Sequence, residues 1–406
     1  MRLFHLADLH LGKCMHGYSM IEMGDQPYWL EQLLKKAEEL KPDALVIAGD
    51  IYDRAVPSKE AVDLWNDFLT KLAKRKISVL MIAGNHDSGT RLAFGDQLLC
   101  DHGIYIAGKV NSKVKCVTLE DSFGPVHFWL VPYLFPAAVN ILLQREDLRD
   151  YDSAMRALLE KQPINREERN VILSHQFVVA GGEKPLMGGS ETTVGGIGQI
   201  DASVYEGFDY VALGHIHQSQ RMGGEQIRYA GSPLSYHFSE IGQKKHLTVV
   251  DLEEKGNVTV ALEKLPVLHE LCEVSGTMEE ILDSRVPENS YIRAVIRQEQ
   301  IPPQAVELLR NHFSARNCIL METVREVPRK KGNSDQQKER NVKSLSLEEL
   351  FLEFYSYQHQ GDLPPEPIDQ LISFAAEQTR NASEDETEKE KLRAAEELIK
   401  FAGREV

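Results

Sequence analysis

Five short apolar runs, each stopping at Asp, Asn or His, most narrow the folds open to this chain. The runs end in Asp8-Leu9-His10, Gly49-Asp50, Gly84-Asn85-His86-Asp87, Ser174-His175 and Gly214-His215-Ile216-His217. Short continuous apolar runs bounded by polar residues read as buried strands. Polar side chains gathered at the C-terminal edges of such strands stand where open α/β sheets bind their ligands.

The segments between these runs carry helical periodicity. Strand-like residues Arg2 to Ala7, Ala44 to Ala48 and Ile77 to Ala83 alternate with helical stretches Tyr28 to Leu40 and Lys59 to Arg75. That alternation is the sequence form of a layered α/β domain. Further strands are expected at His127 to Val131, Asn170 to Leu173, Tyr210 to Leu213, His246 to Asp251 and Val258 to Leu262, without regular helices between all of them. A mixed sheet or a two-sheet sandwich flanked by helices fits this spacing better than a purely parallel sheet. Near Leu265 and Pro266 the pattern restarts as strand, helix, strand, helix, strand, ending at Arg325. The expected organisation is therefore a first domain over 1–265, a small α+β unit over 266–328, a linker over 329–343 and a helical tail over 344–406. The linker is basic and almost free of apolar residues. In the tail, Ser346 with Glu349 forms a capping-box signal, and short apolar stripes recur that need a surface to pack on.

The 406 residues carry 46 basic and 62 acidic side chains, a net charge of −16, which on its face argues against a surface that wraps nucleic acid. The charge is unevenly placed: residues 341–406 alone carry −8. Five cysteines, Cys14, Cys100, Cys116, Cys272 and Cys318, lie far apart with no CxxC pair, so neither a disulfide framework nor a zinc–thiolate site is expected. The N-terminus lacks the form of a secretory signal, and no apolar run approaches the roughly 20 residues of a membrane helix. A soluble cytoplasmic protein without membrane association is expected.

The strand ends supply carboxylate, imidazole and amide donors but no thiolate, a set suited to divalent ions of intermediate hardness such as Mn, Fe or Zn. Seven candidate ligands, Asp8, His10, Asp50, Asn85, His175, His215 and His217, are too many for one ion and suit two, with Asp50 placed to be shared. In extended chain, residues i and i+2 face the same way, so Asp8 with His10, and His215 with His217, are each expected to reach one centre together. A metal pair of this kind polarises a phosphodiester and lowers the pKa of a water. His86, outside the ligand set, is the candidate catalytic residue, to stabilise phosphoryl charge or protonate a leaving alkoxide. Lys13, Arg54 and Arg91 lie near the motif loops and read as solvated loop cations. Each short motif alone is weak; all five in order, each closing a strand, make a specific signal.

In these five blocks the chain resembles the calcineurin-like metallophosphoesterase superfamily, whose pattern is DxH, GD, GNHD or GNHE, a single His, and GHxH. Asp8 to Lys13, Gly49 to Arg54, Ala83 to Ser88, Phe208 to His217 and Ala230 to Leu234 are closer still to its bacterial branch related to double-strand-break repair nucleases. The resemblance spans about residues 1 to 325. It implies a two-sheet metallophosphoesterase sandwich flanked by helices, with residues 266–328 as a capping domain beside the active site. It implies one ion on Asp8, His10, Asp50 and His217, a second on Asp50, Asn85, His175 and His215, and His86 as catalytic. It further implies manganese as the ion, DNA as substrate, a homodimer, and an SMC-like ATPase partner docked by the tail helices. One departure is plain: related nucleases carry His three positions after the GD aspartate, where this chain has Asp53. A phosphatase or cyclic-nucleotide phosphodiesterase with the same metal site, and a scaffold subunit with structural metals, are the competing expectations, since a fold does not fix its substrate.

Overall fold

Strand β1 (Arg2–Leu6) leads into a small hairpin of β2 (Cys14–Met15) and β3 (Tyr18–Ser19) and then helix α1 (Asp25–Leu40) in the computed structural model, which describes residues 1–187, 198–298 and 301–326. There follow β4 (Ala44–Ala48), α2 (Lys59–Lys74), β5 (Ser78–Ile82), the one-turn helices α3 (Gly89–Leu92) and α4 (Asp96–Leu99), and β6 (Ile104–Ala107). The middle of the chain supplies β7 (Lys115–Asp121), β8 (Gly124–Val131), α5 (Pro136–Leu143), α6 (Tyr151–Glu160), β9 (Arg169–His175), β10 (Phe177–Val179), β11 (Gln199–Asp201), β12 (Tyr210–Gly214), β13 (Gln220–Met222) and β14 (Gly224–Tyr229). Last come β15 (Leu247–Leu252), β16 (Val258–Glu263), β17 (Glu270–Gly276), α7 (Met278–Asp283), β18 (Ser290–Ile296), α8 (Ala305–Ser314) and β19 (Ile319–Arg325).

Two six-stranded mixed sheets result, in the orders β16-β15-β1-β4-β5-β6 and β13-β14-β12-β9-β8-β7. Four strands of each run parallel in the order given: β1, β4, β5 and β6 in one, β14, β12, β9 and β8 in the other. Each sheet is buried on both faces, which is why its central strands are continuous apolar runs rather than alternating ones. In β4, Leu45 and Ile47 face the core shared with α1 and α2, whereas Ala44 and Val46 face the second sheet. In β12, Val211 and Leu213 face the core shared with α6, whereas Tyr210 and Ala212 face the first sheet. Helices, sheet, sheet and helices thus stack in four layers, as the two-sheet sandwich expectation requires. His5, on the inter-sheet side of β1, is matched by the Tyr210 hydroxyl at 2.9 Å, and burial pushes its pKa down to about 3.

Residues from β17 onward make a separate three-stranded parallel sheet, β17-β18-β19, with α7 and α8 covering a core that includes Ile292, Leu309 and Phe313. Thr277 opens α7 with a full capping box to Glu280. This sheet meets the first helix at Asp25, whose carboxylate accepts from the Tyr291 hydroxyl at 2.5 Å and lies 2.9 Å from His269 Nδ1. All described residues belong to one compact unit. The linker over 329–343 and the helical tail over 344–406 lie outside the described residues.

β6, β7, β13, β14, α5 and α6 had no counterpart among the expected elements. β7 is an edge strand in which buried Val117 lies between exposed Cys116 and Thr118, so it shows no continuous apolar run. None of the five cysteines is in a disulfide. Among the described residues no helix is long and apolar enough to cross a membrane.

Candidate metal centre

The parallel strands of both sheets end side by side, and the loops that leave them converge. The loop after β1 runs along the loop after β4: the amides of Asp8, His10 and Leu11 donate to the carbonyls of Gly49, Asp50 and Ile51 at 3.0, 3.0 and 2.9 Å. His215, after β12, closes the cluster by donating its amide to Asp8 Oδ1 at 3.0 Å. Asp8, His10, Asp50 and His215 all have positive φ, at 54, 43, 52 and 101°. Such backbone costs non-glycine residues on the order of 1–3 kcal/mol each and persists where the surroundings over-determine it.

This geometry corrects one expectation. Asp8 with His10, and His215 with His217, were to meet by alternation along extended chain, but neither pair lies in a strand. The left-handed turns re-aim the side chains, and His215 and His217 diverge: His217 Nε2 lies 3.1 Å from His10 Nε2, while His215 Nδ1 lies 3.1 Å from Asn85 Oδ1.

All seven expected ligands nevertheless come together. Asn85 Oδ1 is also 3.0 Å from His175 Nε2. Asp50 Oδ2 stands between the two groups, 3.7 Å from His10 Nε2 and 3.4 Å from His175 Nε2. Donor atoms of Asp8, His10 and His217 lie within 4.8 Å of one another, as do those of Asp8, Asp50 and His175. Asp8, His10, Asp50, His175 and His217 are buried, whereas Asn85 and His86 are exposed, so the centre opens on the Asn85 side.

The donor chemistry fits divalent cations. Ligand atoms bound at 2.0–2.2 Å to one ion stand about 3 Å apart from one another, as these do. Burial pushes His10 and His215 well below the usual imidazole range, His215 to about 3, which keeps both rings neutral and able to ligate. Burial alone would raise Asp50, but His175, His10 and His86 more than offset it and hold this carboxyl anionic. His175 Nδ1 lies 2.7 Å from the Ala48 carbonyl, so the proton sits there and Nε2 faces the centre.

Two glycines make the close packing possible. A Cβ on Gly84 would collide with the Asp50 carboxylate, and one on Gly49, which has φ +91°, would collide with the His175 ring.

His86 also lies within 4.8 Å of His10 and Asp50 donor atoms, but its Nδ1 is 2.9 Å from the Asp53 carbonyl and its ring packs edge-on against His10. Asp53, the residue that departs from the related pattern, pairs with Lys13 Nζ at 2.9 Å and lies 3.7 Å from His10 Nδ1. Lys13 is thus an ion-pair partner inside the loop cluster rather than a solvated cation.

Four further residues hold the cluster and carried no role in the sequence reading. Asp87 accepts from the amides of Gly84, Ile51 and Tyr52 at 3.0, 3.1 and 3.0 Å, tying the GNHD loop to the GD loop. Burial, then Asp50, pushes its pKa up to about 6, while these amides oppose the rise. Its place in GNHD was a usable signal. Gln26 donates to the His10 carbonyl at 2.8 Å, and Tyr236 to the Leu9 carbonyl at 2.5 Å. Glu240 reaches His217 Nδ1 at 3.1 Å and Lys245 Nζ at 2.7 Å. Gln26, Tyr236 and Glu240 lie outside the five blocks and had no sequence signal.

Residues 1–219 match the family described as calcineurin-like phosphoesterase. A curated relative, the SbcCD nuclease subunit SbcD of Staphylococcus epidermidis, is 32% identical over 293 residues, which cover 70% of this chain and 75% of that protein. The crystal structure of TT1561 of Thermus thermophilus aligns over 64% of this chain and 98% of its own, at 12% identity and a TM-score of 0.37. A donor cluster that fits divalent cations, on a two-sheet sandwich whose first 219 residues match one family, gives the conclusion: the chain belongs to the calcineurin-like phosphoesterase family and is a metal-dependent phosphoesterase.

Proposed function

We propose that this phosphoesterase is a DNA nuclease, an exonuclease on double-stranded ends and an endonuclease on single strands or hairpins. The convergence of seven thiolate-free donors from five loops carries the proposal. One ion is held by Asp8, His10, Asp50 and His217, the other by Asp50, Asn85, His175 and His215. The grouping is supported by the short His10–His217 contact, the contacts of Asn85 with His175 and His215, and the central place of Asp50. When bound, divalent ions, proposed here to be manganese, polarise the phosphodiester and lower the pKa of the water that attacks phosphorus.

The chain's own groups orient the reaction. Asp50 keeps negative charge at the middle of the site, and the buried imidazoles exclude bulk water from it. His86 stands exposed beside this wall with Nδ1 committed to the Asp53 carbonyl, so Nε2 is the atom that meets the phosphate or protonates the leaving alkoxide. The bound cations offset the acidity of the protein locally, so a net charge of −16 does not repel phosphate at the centre.

The nuclease works as a homodimer with an SMC-like ATPase, SbcC, in DNA repair and recombination, as the name of the S. epidermidis relative suggests for that protein. Purified full-length chain assayed with Mn on hairpin, blunt and single-stranded DNA, with and without the ATPase and ATP, tests this. Metal-dependent cutting is expected. Rapid turnover of a small phosphoester with no cleavage of any DNA would replace the nuclease with a small-substrate phosphatase.

A further inference from the structure

Three aromatic rings form a ledge on the Asn85 side of the centre. Tyr133 follows β8, and its amide donates to the carbonyl of Ala83, at the root of the GNHD loop, at 2.9 Å. Its ring centroid lies 6.2 Å from that of His175 and 6.3 Å from that of His215. The Tyr133 hydroxyl lies 3.3 Å from the Tyr151 hydroxyl, which fixes the two rings relative to each other. Phe135 packs edge-to-face on Tyr133 at 4.9 Å and lies 6.4 Å from the Tyr151 ring. Pro136 follows it, and a residue before proline is held extended; Phe135 has φ −115° and ψ 141°, which sets its ring at the head of α5.

Phe135 is 54% exposed. A single exposed aromatic needs no explanation in itself. This one is braced against a ring that touches two proposed ligands, so its free surface is continuous with the place where a phosphodiester reacts. The flat apolar group always present next to a phosphodiester of DNA is a nucleobase, and stacking on a fixed aromatic ring recognises any base through its π-face.

We infer that Phe135, braced by Tyr133 and Tyr151, is a stacking platform for the nucleobase adjoining the scissile phosphate, a specificity determinant that favours splayed single-stranded DNA over paired duplex. The inference rests on the nuclease reading above. A base inside a duplex has both faces covered by its neighbours, so the platform is open only to an unstacked base. Hairpin loops, frayed ends and single strands present such bases.

The test uses the full chain and single-stranded oligonucleotides with one cleavable phosphodiester among methylphosphonate linkages. Each carries a normal base or an abasic residue on one side of that bond. For the wild-type chain an abasic residue on one side, and not the other, is expected to raise KM by about 5- to 150-fold, the range of one lost stacking contact. Phe135→Ala is expected to raise KM on the normal oligonucleotide by a similar factor and to be indifferent to the abasic residue. Phe135→Leu, which keeps apolar bulk without a flat face, is expected to behave like Phe135→Ala, and Phe135→Trp to restore binding. Quenching of a 2-aminopurine placed on the sensitive side, read without turnover on chain stripped of divalent ions, is expected for wild type and Phe135→Trp and absent in Phe135→Ala. Unchanged KM and unchanged quenching in Phe135→Ala, with wild-type cleavage intact, would overturn the platform while leaving the nuclease standing. Failure of the wild-type chain with Mn to cut any of these oligonucleotides overturns the nuclease reading and the platform with it.

Discussion

Glu240 Oε1 lies 3.1 Å from His217 Nδ1, and both residues are buried. The other Glu240 oxygen is held by Lys245 Nζ at 2.7 Å. A carboxylate in this position accepts the Nδ1 proton, which leaves Nε2 of His217 with a lone pair toward His10 and the proposed ion. Glu240→Gln is therefore expected to weaken binding of one of two Mn ions by about 10- to 100-fold, the usual cost of losing such a partner. Isothermal titration of metal-free chain, alongside a thermal melt to show the fold intact, reads this. Two ions bound with wild-type affinity would remove Glu240 from the site.

His86 is separable from metal binding. His86→Ala is expected to keep both ions and to lose about 10²- to 10⁴-fold in kcat, the range for a proton-transfer residue. Atomic emission counts the metal, and steady-state cleavage gives the rate. Loss of an ion from the variant would make His86 a ligand; full retention of activity would leave the scaffold alternative standing.

Asp87 contacts no substrate in this scheme, yet three backbone amides depend on it. Asp87→Ala is expected to lower stability by at least about 1–3 kcal/mol, because buried donors left without acceptors cost that much each. Asp87→Asn keeps one acceptor oxygen and should cost less. Urea denaturation curves of the three chains give the order.

A pH effect on stability is expected far from the centre, at Asp121. Its carboxylate receives both terminal nitrogens of Arg169, at 3.1 and 2.5 Å, and this contact chiefly holds its pKa below the ordinary carboxylate range. A carboxyl whose pKa is lower folded than unfolded adds stability above the unfolded value of about 3.9, and loses it as pH falls toward the folded one. Asp121→Asn should therefore be less stable than wild type at pH 7, with the gap narrowing below about pH 4. Thermal melts of both chains from pH 7 to pH 3 check the sign; a gap that widened on acidification would contradict it.

The proposed homodimer has an apolar surface at hand in Phe94 and Leu98, which are 87% and 76% exposed and four residues apart. Phe94→Asp with Leu98→Asp is expected to convert a sedimenting dimer to monomer without changing the melt of the fold. A wild-type chain that sediments as a monomer at micromolar concentration would dispose of the dimer.

The strands, the sandwich and the donor cluster were legible because each rests on local pattern. Doubly buried strands such as Ala44–Ala48 have to be continuous apolar runs, and a polar residue closing one of them stands out. β7 was missed for the opposite reason: on a half-exposed edge its polar residues dilute the run. The path by which Asp8 and His10 meet was misread because a left-handed turn leaves no mark when the residue is Asp or His rather than Gly. Gln26, Tyr236 and Glu240 were not legible because they act through single contacts to residues far away in sequence; Tyr236 and Leu9 stand 227 positions apart. The ion-pair role of Lys13 depends on Asp53, which only the fold places beside it.

The pairing of β1 with β15, which sets Arg2 opposite Asp251, has a consequence for how the protein is made. The first strand off the ribosome is a central strand of its sheet, yet one of its two neighbours is among the last of that sheet to be synthesised. At roughly 5–20 residues per second, the wait between the two is about 12 to 50 s. During that interval β1 presents an open edge, and Asp8 lacks the His215 amide that caps it. The metal centre is therefore assembled only late in synthesis, so a nascent chain cannot be active before its sheet is closed.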